Sequence, residues 1–474
     1  MDELENNQVF PEWIFTTTSK TKQGEEKITL HIDEPKFCEV IKKEFNLVRI
    51  NEYFYLDGDK TTDAYIRKLI HDQIVPYFKE NTGNRTDALF KTLCNACYTD
   101  QPEPDEWKIY CKGNVTICLT PEGDFSTKTD DTVFTLTRLP VSLNPKAVCP
   151  TFEKYLTDLF FEEDIPAIQE FFGYCLIPST RAQAGLFIKG EGGEGKSVLK
   201  NVAMRLFGQS AIQEAVHELG DPFTMINLEN KLVCIDDDLR TEKLTETSTL
   251  KKLITARDRF QVEAKFKQKR DGYIFARVFA LGNSFIGSKF DHSDGFYRRQ
   301  LLINCKPKTR PRTQDDKFMS DKCCAEIEGI FMWAMRGLKR LLKNNFDFTV
   351  SKHMQNTLDG VRHDGNNVLT FAEDESAILF TDQFADYVTS ADLFKVYYLW
   401  CTDNGETPIK RNTFARQFPR IFDKYKKSKD FEKGLVPGGN SQVQGYTGVR
   451  LSKDMEDRLT GLSQQDIDKI NRLP

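Results

Sequence analysis

The sequence predicts an α/β fold in which helices flank a parallel β-sheet, with a small α+β unit before the sheet and a helical unit after it. Residues 186–306 alternate apolar, strand-like runs with helical stretches, the pattern typical of a parallel sheet. A glycine-rich loop at 190–197 joins the first of these strands to a helix. The chain has 474 residues, and domains average about 150, so we expect further units on both sides.

Two segments precede the predicted sheet. Residues 1–109 mix strand-like runs such as KITLHI with a helical stretch, which indicates an N-terminal α+β module. Residues 110–180 begin with short β-rich runs divided by Gly, Asp and Pro, and continue with apolar residues at helical spacing. We therefore expect a β-rich and helical collar directly before the sheet.

Helices dominate the chain after the predicted sheet. Residues 323–345 form an amphipathic pattern, and the polar run HDGNN suggests that 351–389 is a linker. From 390 to 474, two helical stretches precede a glycine-rich turn and a short strand. That order is typical of a winged helix-turn-helix domain.

The composition is that of an ordinary globular protein. Hydrophobic residues make up 39% and charged residues 29%, and no run approaches the roughly 18 apolar residues that cross a bilayer. The N-terminus, MDELENNQ, is acidic and polar, unlike a secretory signal. The twelve cysteines are scattered, as expected of free thiols in a reducing compartment. We therefore expect a soluble, cytoplasmic protein with no membrane partner.

Four cysteines raise the question of a zinc site. Cys94 and Cys97 form a CxxC pair, and Cys111 and Cys118 follow it. Six residues separate the second pair, whereas zinc sites typically use about two to four. Cys118 also lies in the apolar run VTICL. We favour buried thiols and keep a four-thiolate zinc site as the alternative.

Positive charge is concentrated in two islands. The formal net charge of the chain is −5, which by itself does not indicate a nucleic-acid partner. Residues 251–270 nevertheless hold eight basic residues against two acids, and residues 408–433 hold nine against three. Each island has a net charge of +6, which favours contact with phosphates, although a solvated surface gives the same pattern.

The glycine-rich loop has the phosphate-binding pattern GxxxxGK[ST], in the strand-to-helix context that this chemistry requires. Its backbone N–H groups can surround phosphates, and the N-terminus of the following helix adds positive charge. We expect Lys196 to contact the β and γ phosphates of ATP and Ser197 to bind Mg²⁺. The predicted nucleotide-binding residues are Gly190, Glu191, Gly192, Gly193, Glu194, Gly195, Lys196 and Ser197.

An acidic cluster follows a second predicted strand. In KLVCIDDDL the apolar run ends at three aspartates, about 40 residues beyond the P-loop lysine. This pattern predicts that Asp236 binds Mg²⁺ and that Asp237 orients the attacking water. Asp238 is the alternative for the second role.

An asparagine and a pair of arginines follow the next apolar run, VFALGN. Asn283 ends that strand, where an amide could contact the γ-phosphate. Arg298 and Arg299 follow in DGFYRRQLLI, and a cation there could act as an arginine finger supplied to a neighbouring subunit. We favour Arg299 and keep Arg298 as the alternative. The alternatives are that Asn283 only caps a turn and that the arginines only form a surface ion pair.

The segment QVEAKFKQKRDGYIF predicts a β-hairpin with a basic Lys-Arg-Asp-Gly tip. In a ring of subunits such a hairpin would point into the channel, where cations and an aromatic ring can follow a single strand. A solvated hairpin is the alternative. The predicted DNA-binding residues are Lys265, Phe266, Lys267, Lys269 and Arg270.

Taken in order, these motifs resemble the phage and plasmid primase-helicases of superfamily 3, which include the poxvirus-type helicases. Within that family the chain looks most similar to the replication initiator helicases of staphylococcal pathogenicity islands and cassette elements. The resemblance covers about residues 110–345 strongly and the C-terminal part more weakly. It places an AAA+ core at 181–350 and a winged-helix DNA-binding domain at 390–474.

The resemblance implies a homo-hexameric ring that binds ATP between subunits and moves 3′ to 5′ on single-stranded DNA in a bacterial host. Forked DNA would then be a substrate, and origin duplex DNA a further partner of the C-terminal domain. Larger relatives carry a primase domain of several hundred residues, whereas only about 110 residues precede the collar here. This difference puts priming activity in doubt.

Three functions of different classes remain open. The first is a replicative helicase that couples ATP hydrolysis to translocation. The second is an origin-binding initiator whose ATPase mainly regulates assembly, and strand displacement would separate it from the first. The third is a P-loop kinase or small-molecule NTPase. The arginine pair and the basic hairpin argue against this third function, because a monomeric kinase needs neither.

Overall fold

The structure is a computed structural model. It describes residues 10–20, 26–130, 133–255, 260–262, 269–288, 291, 293–307, 315–381, 383–425, 432–439 and 441–471.

The N-terminal unit combines a hairpin, a small sheet and three helices. Its elements are β1 (Ile14–Lys20), β2 (Glu26–Ile32), α1 (Glu34–Glu44), β3 (Leu47–Ile50), β4 (Tyr53–Leu56), β5 (Asp59–Thr61), α2 (Asp63–Ile74), α3 (Thr82–Ala96) and β6 (Tyr98–Thr99). The sheet order is β5-β4-β3-β6. Side chains at helical spacing on α2, namely Ile66, Ile70 and Ile74, are buried in a core of their own.

The segment predicted as a collar is divided between a small sheet and two helices. Its elements are β7 (Lys108–Cys111), β8 (Val115–Leu119), β9 (Phe125–Thr129), α4 (Pro150–Leu159) and α5 (Ile165–Tyr174). The strands form an antiparallel sheet, β7-β8-β9. Both helices share the hydrophobic core of the central sheet, so no boundary in packing exists at residue 180.

The central unit contains the parallel sheet that the sequence predicts. Its elements are β10 (Gly185–Lys189), α6 (Lys196–Phe207), β11 (Ala211–Gln213), α7 (Pro222–Asn227), β12 (Val233–Leu239), α8 (Ser248–Thr255), β13 (Phe260–Val262), β14 (Arg270–Gly272), β15 (Arg277–Gly282), α9 (Asp294–Tyr297), β16 (Gln300–Asn304), α10 (Met319–Ala325) and α11 (Ile327–Lys343). The order is β11-β12-β15-β10-β16, and all neighbouring strands are parallel.

This topology explains why the strands are continuously apolar. Helices cover both faces of a parallel sheet, so successive side chains are all buried. The residues of β15, from Arg277 to Gly282, are buried throughout. Helices α5 and α11 approach each other at Gly173 and Gly337, where a Cβ atom would lie within 2.4 Å and 2.2 Å of the facing backbone. The predicted mixed α/β fold with a parallel sheet is therefore confirmed.

The C-terminal unit corrects one prediction. Its elements are α12 (Lys352–Gly365), α13 (Asn367–Glu373), β17 (Ile378–Phe380), β18 (Tyr387–Thr389), α14 (Ser390–Asp403), α15 (Arg411–Tyr425), β19 (Glu432–Gly438), β20 (Ser441–Thr447), β21 (Val449–Leu451), α16 (Lys453–Thr460) and α17 (Gln464–Asn471). The range 351–389, predicted as a linker, is mostly helical. Ser351 caps α12, and Asn366 in the polar run caps α13, where Val368 and Phe371 are buried.

The four cysteines considered for zinc belong to different elements. Cys94 lies in α3, Cys97 caps it, and Cys111 and Cys118 lie in β7 and β8. Among the described residues, no group of three or more His, Cys, Asp or Glu side chains could hold a metal ion. Burial raises the pKa of Cys97 and of Cys111 to about 12, which keeps these thiols protonated. No helix in the described ranges is long and apolar enough to cross a membrane.

Candidate nucleotide-binding site

The glycine-rich loop connects β10 to α6 at the edge where the parallel strands end. Gly192, Gly193 and Gly195 have φ angles of +111°, +84° and +107°. Only glycine adopts such angles without strain, so these positions let the chain curl before the helix begins. Ser197 is exposed in the first turn of α6, where unpaired N–H groups favour an anion. The loop therefore has the geometry of a phosphate cradle.

A carboxylate of the loop itself occupies part of this cradle. Glu194 accepts a hydrogen bond from the Gly192 N–H at 2.8 Å, and its other oxygen lies 3.0 Å from Lys196 Nζ. The side chains of Glu194 and Lys196 are only 6% and 12% exposed. Burial raises the pKa of Glu194, but backbone hydrogen bonds and Lys196 outweigh it and hold the pKa below its ordinary value. The charged Glu194 side chain thus occupies the Gly192 N–H and the Lys196 ammonium group, to which a phosphate in this loop would bind.

The predicted acids end β12, two strands away from β10. Asp236 is 5% exposed and accepts hydrogen bonds from the N–H groups of Val216, at 2.8 Å, and Asp238, at 3.2 Å. Burial raises its pKa above the ordinary range. These contacts tie Asp236 to the segment after β11, and its role as a metal ligand stays a prediction.

Asp237 instead faces the P-loop helix. Its carboxylate lies 2.5 Å from Lys200 Nζ and 2.6 Å from Gln213 Nε2. Lys200 is one turn beyond Lys196 on α6, so both lysines share a face of that helix. Asp238 is exposed. Among the hydrogen bonds of the three acids, that of Asp237 with Lys200 is the one that reaches the helix after the glycine-rich loop.

Asn283 lies next to the P-loop because β15 separates β12 from β10 in the sheet. The Gly190 N–H donates to the carbonyl oxygen of Gly282 at 3.0 Å, which joins the start of the loop to the end of β15. Asn283 follows directly and is exposed. The structure therefore brings Asn283 to the same edge as Lys196 and Asp237.

The arginine pair lies at the other end of the strands, where the parallel strands begin. Gln300 pairs with Gly185 at the start of β10, and the Gly185 N–H donates to the Arg299 carbonyl oxygen at 2.9 Å. The length of β10 therefore separates the pair from its own P-loop, about 13 Å at 3.3 Å per residue. Arg298 is exposed, whereas the half-buried Arg299 side chain donates to the carbonyl oxygen of Gly295. Burial, and then the Arg298 charge, lower the Arg299 pKa.

Strands β13 and β14 pair antiparallel, and Arg270, Asp271 and Gly272, which were predicted as part of the tip, form the return strand. Arg270 makes two hydrogen bonds of 2.6 and 2.7 Å to the Glu229 carboxylate. Lys269 is exposed beside it. The other three predicted DNA-binding residues lie outside the described residues: Lys265, Phe266 and Lys267.

Sequence reasoning missed a cleft of about 290 Å³ beside the P-loop. Helix α4 contributes Tyr155 and Asp158, and the segment after β16 contributes Lys306 and Asp316. The Tyr155 hydroxyl donates to the Gly195 carbonyl oxygen at 3.0 Å, and burial raises the pKa of Tyr155 well above its ordinary value. These residues come from distant parts of the chain and form no local pattern, so only the folded structure reveals the cleft.

Comparisons with known proteins match two segments of the chain. Residues 188–299 match a family of unknown function, DUF5906, and residues 363–445 match the poxvirus D5 protein-like family. A search of curated protein sequences finds no significant match.

Solved structures match over most of the chain. The apo structure of the NrS-1 C-terminal region is 13% identical and has a TM-score of 0.52, covering 88% of this chain and 100% of that one. The A form of the same region is 11% identical with a TM-score of 0.49, covering 87% of this chain and 98% of that one. The first of these likenesses shows a shared fold. The poxvirus D5 protein-like match is a separate likeness and covers residues 363–445 alone.

Proposed function

We propose that this chain is a replicative DNA helicase of a mobile genetic element, an AAA+ ATPase of superfamily 3. It would assemble as a homo-hexamer in the cytoplasm of a bacterial host and move 3′ to 5′ on single-stranded DNA. The gathering of Lys196, Asp237 and Asn283 at one sheet edge supports ATP hydrolysis with Mg²⁺. The D5-like match supports a role in replication.

The position of the arginine pair is the observation that supports assembly into a ring. The arginine pair lies at the end of β16 remote from its own P-loop, about 13 Å along the strand. An arginine there cannot stabilise charge on a phosphate bound to its own chain, but it can reach a neighbour's site across an interface. Arg298 is the better candidate because it is exposed, whereas Arg299 donates to Gly295.

The proposed nucleotide arrangement follows from the contacts at the loop. The phosphates would take the place of the Glu194 carboxylate between Gly192 and Lys196, with Mg²⁺ at Ser197. Asp237 would act on the metal or the attacking water, because it faces α6. Asp236, which sequence reasoning assigned to the metal, would hold the backbone of Val216 and Asp238. The base and ribose would enter the cleft beside Tyr155.

The DNA-contacting parts of the proposal are the β13–β14 hairpin and the C-terminal unit. Helices α14 and α15 precede the antiparallel β19–β20 pair, and β18 adds to that pair as a third strand. This order supports a winged-helix domain. Part of the second basic island, 408–433, lies on α15, where phosphate contacts would be made.

A subunit-mixing experiment tests the ring. Arg298→Ala should bind ATP but hydrolyse it at least about 10³-fold more slowly, the effect of losing an arginine finger. Lys196→Ala should also be inactive. Mixing the two creates interfaces with an intact P-loop and an intact Arg298, so ATPase activity should return. Arg336→Ala, which removes an exposed arginine paired with Glu153, is the matched control and should stay active.

Two results would contradict the proposal. If Arg298→Ala and Arg299→Ala each keep full ATPase activity, neither arginine acts as a finger. If the chain stays monomeric in the presence of ATP and DNA, it does not form a ring. The helicase and the initiator differ in a single assay, ATP-dependent unwinding of a tailed duplex. The C-terminal helices and strands favour the initiator as the second function, which would bind origin duplex without displacing a strand.

A further inference from the structure

A second cleft, of about 620 Å³, lies between the N-terminal unit and the central unit. Strands β4 and β5 form one wall, with Tyr53, Tyr55 and Lys60. The opposite wall includes Phe223 and Lys231, on α7 and just before β12. Three aromatic rings and two ammonium groups thus border one opening.

One aromatic side chain in this cleft, Phe223, has an exposed ring on which a base could stack. Phe223 is the second residue of α7 and is 49% exposed, although a phenyl ring gains nothing from contact with water. Lys60 Nζ lies 3.3 Å from the centre of the Tyr53 ring. An exposed ring beside cations is the combination with which proteins bind single-stranded nucleic acid without reading its sequence.

The basic side chains that border the cleft, Lys60, Arg138 and Lys231, outnumber the acids, Asp59 and Glu229. Burial lowers the pKa of Lys60 and of Lys231, which shows that both ammonium groups are partly removed from water. Lys231 donates to the carbonyl oxygen of Gln209 at 2.5 Å, which leaves two of its three protons for other acceptors. The Glu229 carboxylate that also borders the cleft is neutralised by Arg270.

The same ion pair fixes the cleft beside the hairpin. Arg270 belongs to the return strand β14, and Glu229 follows α7, so the base of the hairpin and the wall of the cleft are joined. The two units are further tied by Gln101 Nε2 to Asn230 Oδ1 at 2.9 Å. A DNA strand that is bound at the hairpin would therefore meet the cleft next.

We propose that this inter-unit cleft binds single-stranded DNA, with a base stacked on Phe223 and phosphates at Lys60 and Lys231. The inference rests on the proposed function, because it extends the path of a strand held by the hairpin. Its ligand is a short run of nucleotides of any sequence, since no base-specific hydrogen-bonding group is needed.

The test uses the full chain and a fluorescein-labelled oligothymidylate of about 20 nucleotides, long enough to span both contact regions. Phe223→Ala should raise the Kd about fivefold or more, and Phe223→Trp should restore binding, because stacking needs a ring. Lys60→Gln should lower the slope of log K against log salt by about one phosphate contact. Phe125→Ala removes an exposed ring that does not border the cleft and should leave the Kd unchanged.

Crosslinking adds a readout of position. Oligonucleotides with 5-iododeoxyuridine should crosslink to Phe223 or Tyr53, as located by mass spectrometry. ATPase activity without DNA is measured on each protein. Activity of the wild-type protein tests the proposed function, and retained activity of a variant shows that the variant is folded. If wild-type ATPase and DNA binding are present but Phe223→Ala leaves the Kd unchanged and no crosslink forms in the cleft, the cleft is not a DNA site. If wild-type protein neither hydrolyses ATP nor binds DNA, the proposed function itself fails.

Discussion

Replacing Glu194 by Gln should tighten nucleotide binding, because the Glu194 carboxylate competes with phosphate for the cradle. Its two oxygens lie 2.8 Å from the Gly192 nitrogen and 3.0 Å from Lys196 Nζ. Nucleotide cannot contact these groups until the carboxylate leaves. An amide oxygen can still accept one of the two hydrogen bonds, but it carries no charge to hold Lys196.

The magnitude follows from the type of contact that is lost. A hydrogen bond to a charged group contributes about 1.5–3 kcal/mol, and a neutral one about 1 kcal/mol. Glu194→Gln therefore weakens the competing state by about 0.5–2 kcal/mol. With about 1.4 kcal/mol per factor of ten, the Kd for ATP should fall about 2- to 30-fold.

Titration with a fluorescent ATP analogue, or calorimetry with ATP and Mg²⁺, measures this change directly. The matched control is Glu191→Gln, which removes the same charge from an exposed position of the same loop. Its Kd should change little, since exposed charges interact weakly through water. Equal effects of the two substitutions would show that net charge alone matters, and an unchanged Kd for Glu194→Gln would refute the competition.

Three further predictions concern other parts of the central unit. Asp237→Asn should bind ATP but hydrolyse it at least about 100-fold more slowly, measured by phosphate release, whereas retained turnover would leave its position near α6 without a catalytic role. Gly337→Ala should lower the melting temperature by several degrees, because a Cβ atom would lie 2.2 Å from the Gln169 carbonyl oxygen, while Gly360→Ala, with no atom within 4 Å, should not. The pKa of Asp291 is lowered, since hydrogen bonds from Lys251 and nearby hydroxyls outweigh its burial. Its stabilising contribution is therefore present above about pH 4 and lost as pH falls further, so acid unfolding should depend less on pH in Asp291→Asn.

Much of the fold could be predicted from local patterns. The apolar strands and the glycine spacing at Gly192, Gly193 and Gly195 are properties of short segments, so the parallel sheet and the glycine-rich turn between β10 and α6 were both predicted. The capped helices in 351–389 were missed because a polar run can be a helix junction as easily as a linker. Asn366 shows the difference, since its side chain caps α13.

The parts of the candidate site that depend on distant contacts could not be predicted. Arg270 was assigned to a free tip, but its partner Glu229 is 41 residues earlier in the chain. The orientation of Asp236 depends on the N–H of Val216, and the cleft at Tyr155 depends on α4 meeting the P-loop. Such contacts arise only when the elements pack, so sequence spacing carries no sign of them.

Helix α12 has a mechanical consequence for the proposed ring. Arg362 on this helix lies 3.6 Å from an Asp294 oxygen and 5.6 Å from the centre of the Tyr297 ring, both on α9. Arg298 follows α9 directly. The same end of α12 continues through Asn366 into α13, which belongs to the core of the C-terminal unit. In the proposed ring, a movement of α13 and the elements after it would therefore reach α9 and Arg298 through the last turn of α12 alone, so a load on the C-terminal unit could alter hydrolysis in the neighbouring subunit.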